Sequence, residues 1–186
     1  MNTQMQEIIQ IRQQAECIAT TEQVEEAIIR LADTVSVALA DTNPVCYIIM
    51  HGGIFFAGNL LPRLQFPLQV AYLHVSRYHY QLSADKLRWH TPPTLSPRQR
   101  TVIIFDDILD QGHTLLQIKE YMKQQGAAAV YTAVLADKQH QRKAVPGFRA
   151  DFTALEVPDY YLFGCGMDYK GYWRNNSAIY AVKNSS

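Results

Sequence analysis

The sequence predicts an α/β protein with a mainly parallel central sheet flanked by helices. Three observations carry this. Uninterrupted apolar runs of strand length recur: VCYIIM at 45–50, TVIIF at 101–105 and AAVYTAVLA at 128–136. Such runs suit strands covered on both faces. Segments of helical periodicity lie between them, and that alternation implies right-handed crossovers and parallel pairing. Loops bearing Gly, His and Asp leave the strands at their C-terminal ends, where open α/β sheets bind ligands.

Each element has a local cause. In residues 19–42, Thr20 with Gln23 fits a capping box. Val24, Ala27, Ile28, Leu31, Val35, Ala38 and Leu39 follow at helical spacing. Pro44 precedes the first apolar run; HGG at 51–53 follows it and leads into the helix-like IFFAGNLLPRL. PLQVAYLHVSRYHY at 67–80 reads as the next strand. QLSADKLRWHTPPTLSPRQR then loses periodicity, carries three prolines and is long for a connector. This predicts a mobile lid or binding loop over about residues 77–98. TLLQIKEYMKQQ at 114–125 reads as a helix closed by Gly126, whose type suits the left-handed C-terminal position. DFTALEV and YYLFGCGMDY resemble two further strands.

At 186 residues the chain suits one domain, residues 1–186, whose core needs no staples. Its 17 Lys and Arg balance 17 Asp and Glu, which argues against nucleic acid or an anionic membrane as partner. An anion must then be held by a local site. Cys17, Cys46 and Cys165 are far apart and show no metal spacing. They predict buried free thiols in a reducing compartment, the cytoplasm.

The chemistry concentrates in DDILDQGHT, Asp106 to Thr114. Thr114 with Gln117 fits a second capping box and predicts a helix start at Leu115. A helix start offers free N–H groups and a positive dipole end. Gly112 lets the preceding turn take unusual backbone angles. With the Thr114 hydroxyl, these N–H groups make a pocket of phosphate size. Carboxylates beside it need other tasks. Asp106 and Asp107 leave the strand toward opposite faces and suit vicinal hydroxyls; Asp110, nearer the turn, suits proton acceptance. A sugar phosphate satisfies all of these. A lone Asp pair after a strand is usually a solvated turn, but the full strand–turn–helix context favours a site.

VIIFDDILDQGHTL resembles the phosphoribosyl diphosphate signature of the type I phosphoribosyltransferases, most closely that of hypoxanthine (guanine) phosphoribosyltransferases. YIIMHGGIFFAGNLL is similar to that family's pyrophosphate loop and following helix, and ADFTALEVPDYYLFGCGMDYKGYWRN to its base-binding region. The resemblance implies the family fold, with a small hood formed by N- and C-terminal segments. It implies that a purine base displaces pyrophosphate from C1 of 5-phosphoribosyl 1-diphosphate, with Mg2+. Asp106 and Asp107 then hold the ribose hydroxyls, and Asp110 is the catalytic proton acceptor at purine N7. Asp110, Gln111, Gly112, His113 and Thr114 wrap the 5-phosphate. Lys138 faces the C6 oxygen, Tyr161 stacks on the base, and the Leu162 backbone reads its edge. Asp168 meets magnesium directly or through water. His51, Gly52, Arg77 and Arg174 meet pyrophosphate. The implied partners are these small molecules and further copies of the chain, as homodimer or homotetramer, with no nucleic acid and no membrane.

Two departures from the family pattern bear on the chemistry. His51 stands where many relatives have lysine, so pyrophosphate affinity is expected to weaken as pH rises through a histidine titration. Arg77 stands beside Tyr78 where many relatives have Ser-Tyr; it could clamp pyrophosphate or be a solvated loop charge. The alternatives are a phosphoribosyltransferase for another base, xanthine or uracil, and a diphosphate-sensing regulator that has lost catalysis.

Overall fold

The computed structural model describes residues 3–77 and 87–182. In chain order its elements are α1 (Thr3–Gln14), β1 (Glu16–Ala19), α2 (Thr21–Leu39), β2 (Val45–Met50), α3 (Gly53–Leu60), β3 (Gln69–Arg77) and β4 (Leu87–Thr91). There follow β5 (Thr101–Leu109), α4 (His113–Gln124), β6 (Ala129–Gln139), β7 (Phe152–Pro158), β8 (Leu162–Phe163) and β9 (Ile179–Ala181). The main sheet runs β4-β3-β2-β5-β6-β7. All its pairs are parallel except β3 with β4, an antiparallel pair at one edge. A three-stranded antiparallel sheet, β1-β9-β8, joins the two chain ends and forms the expected hood.

Period-two side-chain alternation splits the core into two layers. Cys46, Ile103, Phe105, Ala133 and Leu135 pack with α2 and α3. Val45, Tyr47, Ile49, Val102, Ile104 and Val134 pack with Leu115, Ile118 and Met122 of α4. Each fully buried large side chain contributes about 1.5–3 kcal/mol, and the two layers fix where β2, β5 and β6 end. α2 begins at the expected capping box: the Thr20 N–H donates to Gln23 Oε1 at 2.9 Å, and Gln23 N–H donates to Thr20 Oγ1 at 3.3 Å. Ala38, expected inside, faces solvent, and Ala32 is buried instead.

Other expectations are revised. The segment read as structureless over about 77–98 contains β4, in which Leu87, Trp89 and Thr91 are half-buried while Arg88 and His90 are exposed. Trp89 packs on Tyr121 of α4 with ring centroids 4.7 Å apart. The flanking prolines hide this short alternation in the sequence. Residues 78–86 of the proposed lid, and the side chain of Arg77, lie outside the described residues. DFTALEV is β7, but YYLFGCGMDY is not one continuous strand. After the two residues of β8 the chain makes tight turns, bridging Gly164 with Met167 and Tyr169 with Tyr172. Positive φ at Gly164, Gly166 and Gly171 favours turns over extension. Of the three thiols, Cys46 and Cys165 are buried, which pushes each up to about 12, but Cys17 is exposed. Among the described residues, no helix is long and apolar enough to cross a membrane.

Candidate active site

The site lies at the C-terminal ends of β2, β5 and β6, beneath the hood. β5 runs through Asp106 and Asp107 as far as Leu109, so both carboxylates stand on the strand itself. The Asp107 N–H donates to Asp106 Oδ1 at 3.0 Å. Burial and mutual repulsion push the Asp106 carboxyl well up, and burial also raises that of Asp107. The pair is thus held short of counter-charge, a state that favours donors such as sugar hydroxyls.

The chain turns at Gly112, with φ +88°, and α4 starts at His113. This corrects the expected start at Leu115: the cap is Gly112, which has no side chain to bond with, and Thr114 lies inside the first turn. Gln117, assigned to the capping box, accepts from the Leu87 N–H at 3.2 Å. A Cβ at Gly112 would press on the Phe148 ring at 2.7 Å, so packing and backbone both require glycine there. The first amides of α4 still point into the turn. A cavity of about 250 Å³ there is lined by the single run 106–115, which includes Gln111, His113 and Thr114.

Asp110 sits between two cavities. The second, about 320 Å³, is lined by Asp107, Asp110, Lys138, Tyr161, Leu162 and Asp168, among others. Lys138, at the end of β6, places Nζ 3.6 Å from Asp110 Oδ2. His140 Nε2 lies 2.8 Å from Asp110 Oδ1. Burial pushes the Asp110 carboxyl up, but Lys138 and the His140 hydrogen bond outweigh it, and the net shift is down. Tyr161 is 53% exposed over this cavity, and its hydroxyl donates to the Asp168 carbonyl at 3.2 Å. It is therefore no core residue.

Gly52, from the β2–α3 loop, touches the same centre. A Cβ on it would overlap the Asp107 carboxylate, and a Cβ on Gly166 would overlap the Gly52 carbonyl. Arg174 donates to the Gly166 carbonyl at 2.6 Å and to Asp168 Oδ1 at 2.5 Å, and lies 4.0 Å from Asp107. The Gly171 N–H occupies the other Asp168 oxygen at 2.7 Å. α1 steadies this turn: Trp173 Nε1 donates to the Ile8 carbonyl, and Glu7 accepts from Tyr169 and Lys170. His51 is exposed, and its ring meets His74, which meets His90, with centroids 4.8 and 4.7 Å apart. Burial, then the neighbouring His51 and His90, lower the His74 pKa.

Sequence reasoning missed the support behind Asp110. Lys143 Nζ donates to the Leu109 carbonyl at 3.1 Å, the Asp110 carbonyl at 2.8 Å and Asp137 Oδ1 at 2.6 Å. The Ala144 N–H donates to the Gln111 carbonyl at 2.8 Å. A signal existed: His140, Arg142 and Lys143 cluster directly after an apolar strand, at the end where ligand loops converge.

The comparisons agree with this fold. The chain is 29% identical over 167 residues to the hypoxanthine-guanine phosphoribosyltransferase of Streptococcus pneumoniae, covering 89% of this chain and 92% of that protein. It is 29% identical over 164 residues to the hypoxanthine-guanine-xanthine phosphoribosyltransferase of Tritrichomonas foetus, covering 87% and 88%. A crystal structure of a hypoxanthine phosphoribosyltransferase from Staphylococcus aureus superposes with a TM-score of 0.85 at 26% identity, covering 98% of this chain and 96% of that one. The model of the phosphoribosyl transferase domain matches residues 14–161, from the hood strand β1 through β7 to Tyr161 at the second cavity, and the chain belongs to that family.

Proposed function

We propose that the chain is a purine salvage enzyme that joins hypoxanthine, and guanine as a further acceptor, to the ribose of 5-phosphoribosyl 1-diphosphate, releasing pyrophosphate. The observation that carries this is the meeting of the phosphate-sized and base-sized cavities at Asp107 and Asp110. A 5-phosphate in the first and a purine in the second bring the reacting atoms together beside Asp110. The activities named for the relatives point the same way.

In this reading the amides of the Gly112 turn hold the 5-phosphate, and Asp106 and Asp107 accept from the ribose hydroxyls. The purine nitrogen bonds C1 as the C1–O bond to diphosphate breaks. Positive charge growing on the ribose is stabilised by the nearby carboxylates, and Asp110, kept ionised by its neighbours, takes the proton from N7. Lys138 donates to the C6 oxygen, Tyr161 covers the ring face, and the Leu162 backbone meets its edge. Gly52 and Arg174, with His51 and Arg77, receive the pyrophosphate. The donor set around Arg174 suits a hard, oxygen-seeking cation. Asp168, whose oxygens accept from Arg174 and the Gly171 N–H, would hold magnesium directly or through water, and the ion would supply neutralisation of leaving-group charge.

Exposed Val70 and Tyr72 of β3 and Ile54 of α3 support a homodimer or homotetramer, which sedimentation would measure. The free thiols and balanced charge support the cytoplasm as its compartment. The deciding assay mixes the protein with phosphoribosyl diphosphate, Mg2+ and, in turn, hypoxanthine, guanine, xanthine, adenine and uracil. IMP from hypoxanthine is expected. Absence of nucleotide from every base overturns the proposal.

A further inference from the structure

We propose that His140 is a positioning residue for this reaction: its ring, carrying one proton on Nε2, holds Asp110 Oδ1 and leaves Oδ2 to meet the base. The inference rests on the function proposed above. The ring's two nitrogens are assigned by their partners. Nδ1 lies 3.0 Å from the Arg142 N–H and accepts from it, so it has no proton of its own. The ring proton is then on Nε2, which donates to Asp110 Oδ1 at 2.8 Å. The His140 side chain is only 5% exposed, so this orientation is enclosed by protein. His140 does not line the base-sized cavity; it lines a neighbouring cavity of about 350 Å³ enclosed by residues 137–149. It therefore acts through Asp110 and does not touch substrate.

The consequence is geometric first. A carboxylate on a loop can rotate and swap its oxygens. Here Oδ1 is engaged by His140, while Oδ2 lies on the side of Lys138, which lines the base-sized cavity. The backbone at 109–111 is fixed by Lys143 and Ala144 from the same turn. One segment, 140–144, thus sets both the place and the rotation of the proton acceptor. The other charges facing the pair are Lys138 at the end of β6, Arg142 and Lys143 in the turn, and Asp159 after β7. The ligating atom of Asp159 lies within 4.8 Å of those of Asp110 and His140, and its charge is met by Arg142 at 2.5 Å.

The test compares His140→Phe, which keeps ring bulk without the donor, with His140→Gln, whose amide N–H can reach the place of Nε2. Turnover with hypoxanthine and the KM for phosphoribosyl diphosphate are read at neutral pH. The Asp110 titration is followed by carboxyl-carbon NMR in the full chain without substrate. The expected result is a loss of turnover of about tenfold to hundredfold in His140→Phe, with KM near the parent value and recovery of most of the loss in His140→Gln. The Asp110 midpoint is expected to move up in His140→Phe and to return in His140→Gln, because a donor to the charged form is lost and regained. Parent-like turnover in His140→Phe overturns the proposal, as does a His140→Gln variant that stays folded but is as slow as Phe. If the parent itself makes no nucleotide, the proposed function fails, and the titration still reads the His140 bond: an unmoved midpoint in His140→Phe overturns that as well.

Discussion

From Gly112 to Leu116 the loop makes its own structure. The Leu116 N–H closes the first helical turn on the Gly112 carbonyl at 2.9 Å, and every residue lining the phosphate-sized cavity comes from one run of ten. Two residues before Gly112, Asp110 is placed from outside: its side chain by His140 and its carbonyl by Lys143. Three residues earlier still, Asp107 is packed under Gly52 and Gly166, from segments far away in sequence. An anion pocket can be built from a turn and a helix start. A proton acceptor needs an orientation, and orientation comes from neighbours that the fold brings in.

This contrast can be broken at several points. Asp110→Asn should cut turnover by about 10²–10⁴-fold while phosphoribosyl diphosphate binding stays near the parent value. Turnover near the parent's in a rapid-mix assay would remove Asp110 as the proton acceptor. Lys143→Met leaves Asp137, 1% exposed, without its partner, and should lower stability by about 3–5 kcal/mol in guanidinium denaturation. An unchanged midpoint would mean that Asp137 and the 109–111 backbone are held by something else.

Asp106→Asn should act in the opposite direction. A carboxyl with a raised folded pKa binds its proton more readily folded than unfolded. Stability therefore falls as pH rises from about 4, the unfolded value, through the raised folded one. Once ionised, the pair opposes folding, so Asp106→Asn should raise stability by roughly 0.5–2 kcal/mol while weakening ribose binding. A thermal melt at pH 7 showing no gain would contradict the crowding of the pair. The smallest effect is expected at exposed His51. His51→Gln should weaken pyrophosphate binding by about two- to fivefold, which calorimetry would measure; unchanged affinity would remove His51 from the site.

Much of the fold was readable because its signals are local. The apolar runs of β2, β5 and β6, the Thr20 capping box and the closing Gly126 each state their structure within a few residues. β4 was not readable, since five alternating residues among prolines carry little periodicity. β9 was not either: three residues gain strand character only by pairing with β1 and β8. The helix start at His113 was misplaced because Thr114 and Gln117 satisfy a capping pattern that Gly112 supersedes by turning first.

The sequence by itself determined the α/β class, the strand–turn–helix proposed to hold a phosphate, and the presence of carboxylates beside it. Those properties depend on backbone geometry and residue order over a dozen positions. The tertiary structure alone decided which oxygen of Asp110 faces His140 and which faces Lys138, why Gly52 and Gly166 must lack side chains, and where Arg174 points. The first two depend on distances between separate segments, Asp110 from His140 and Gly52 from Gly166, and only packing sets those distances.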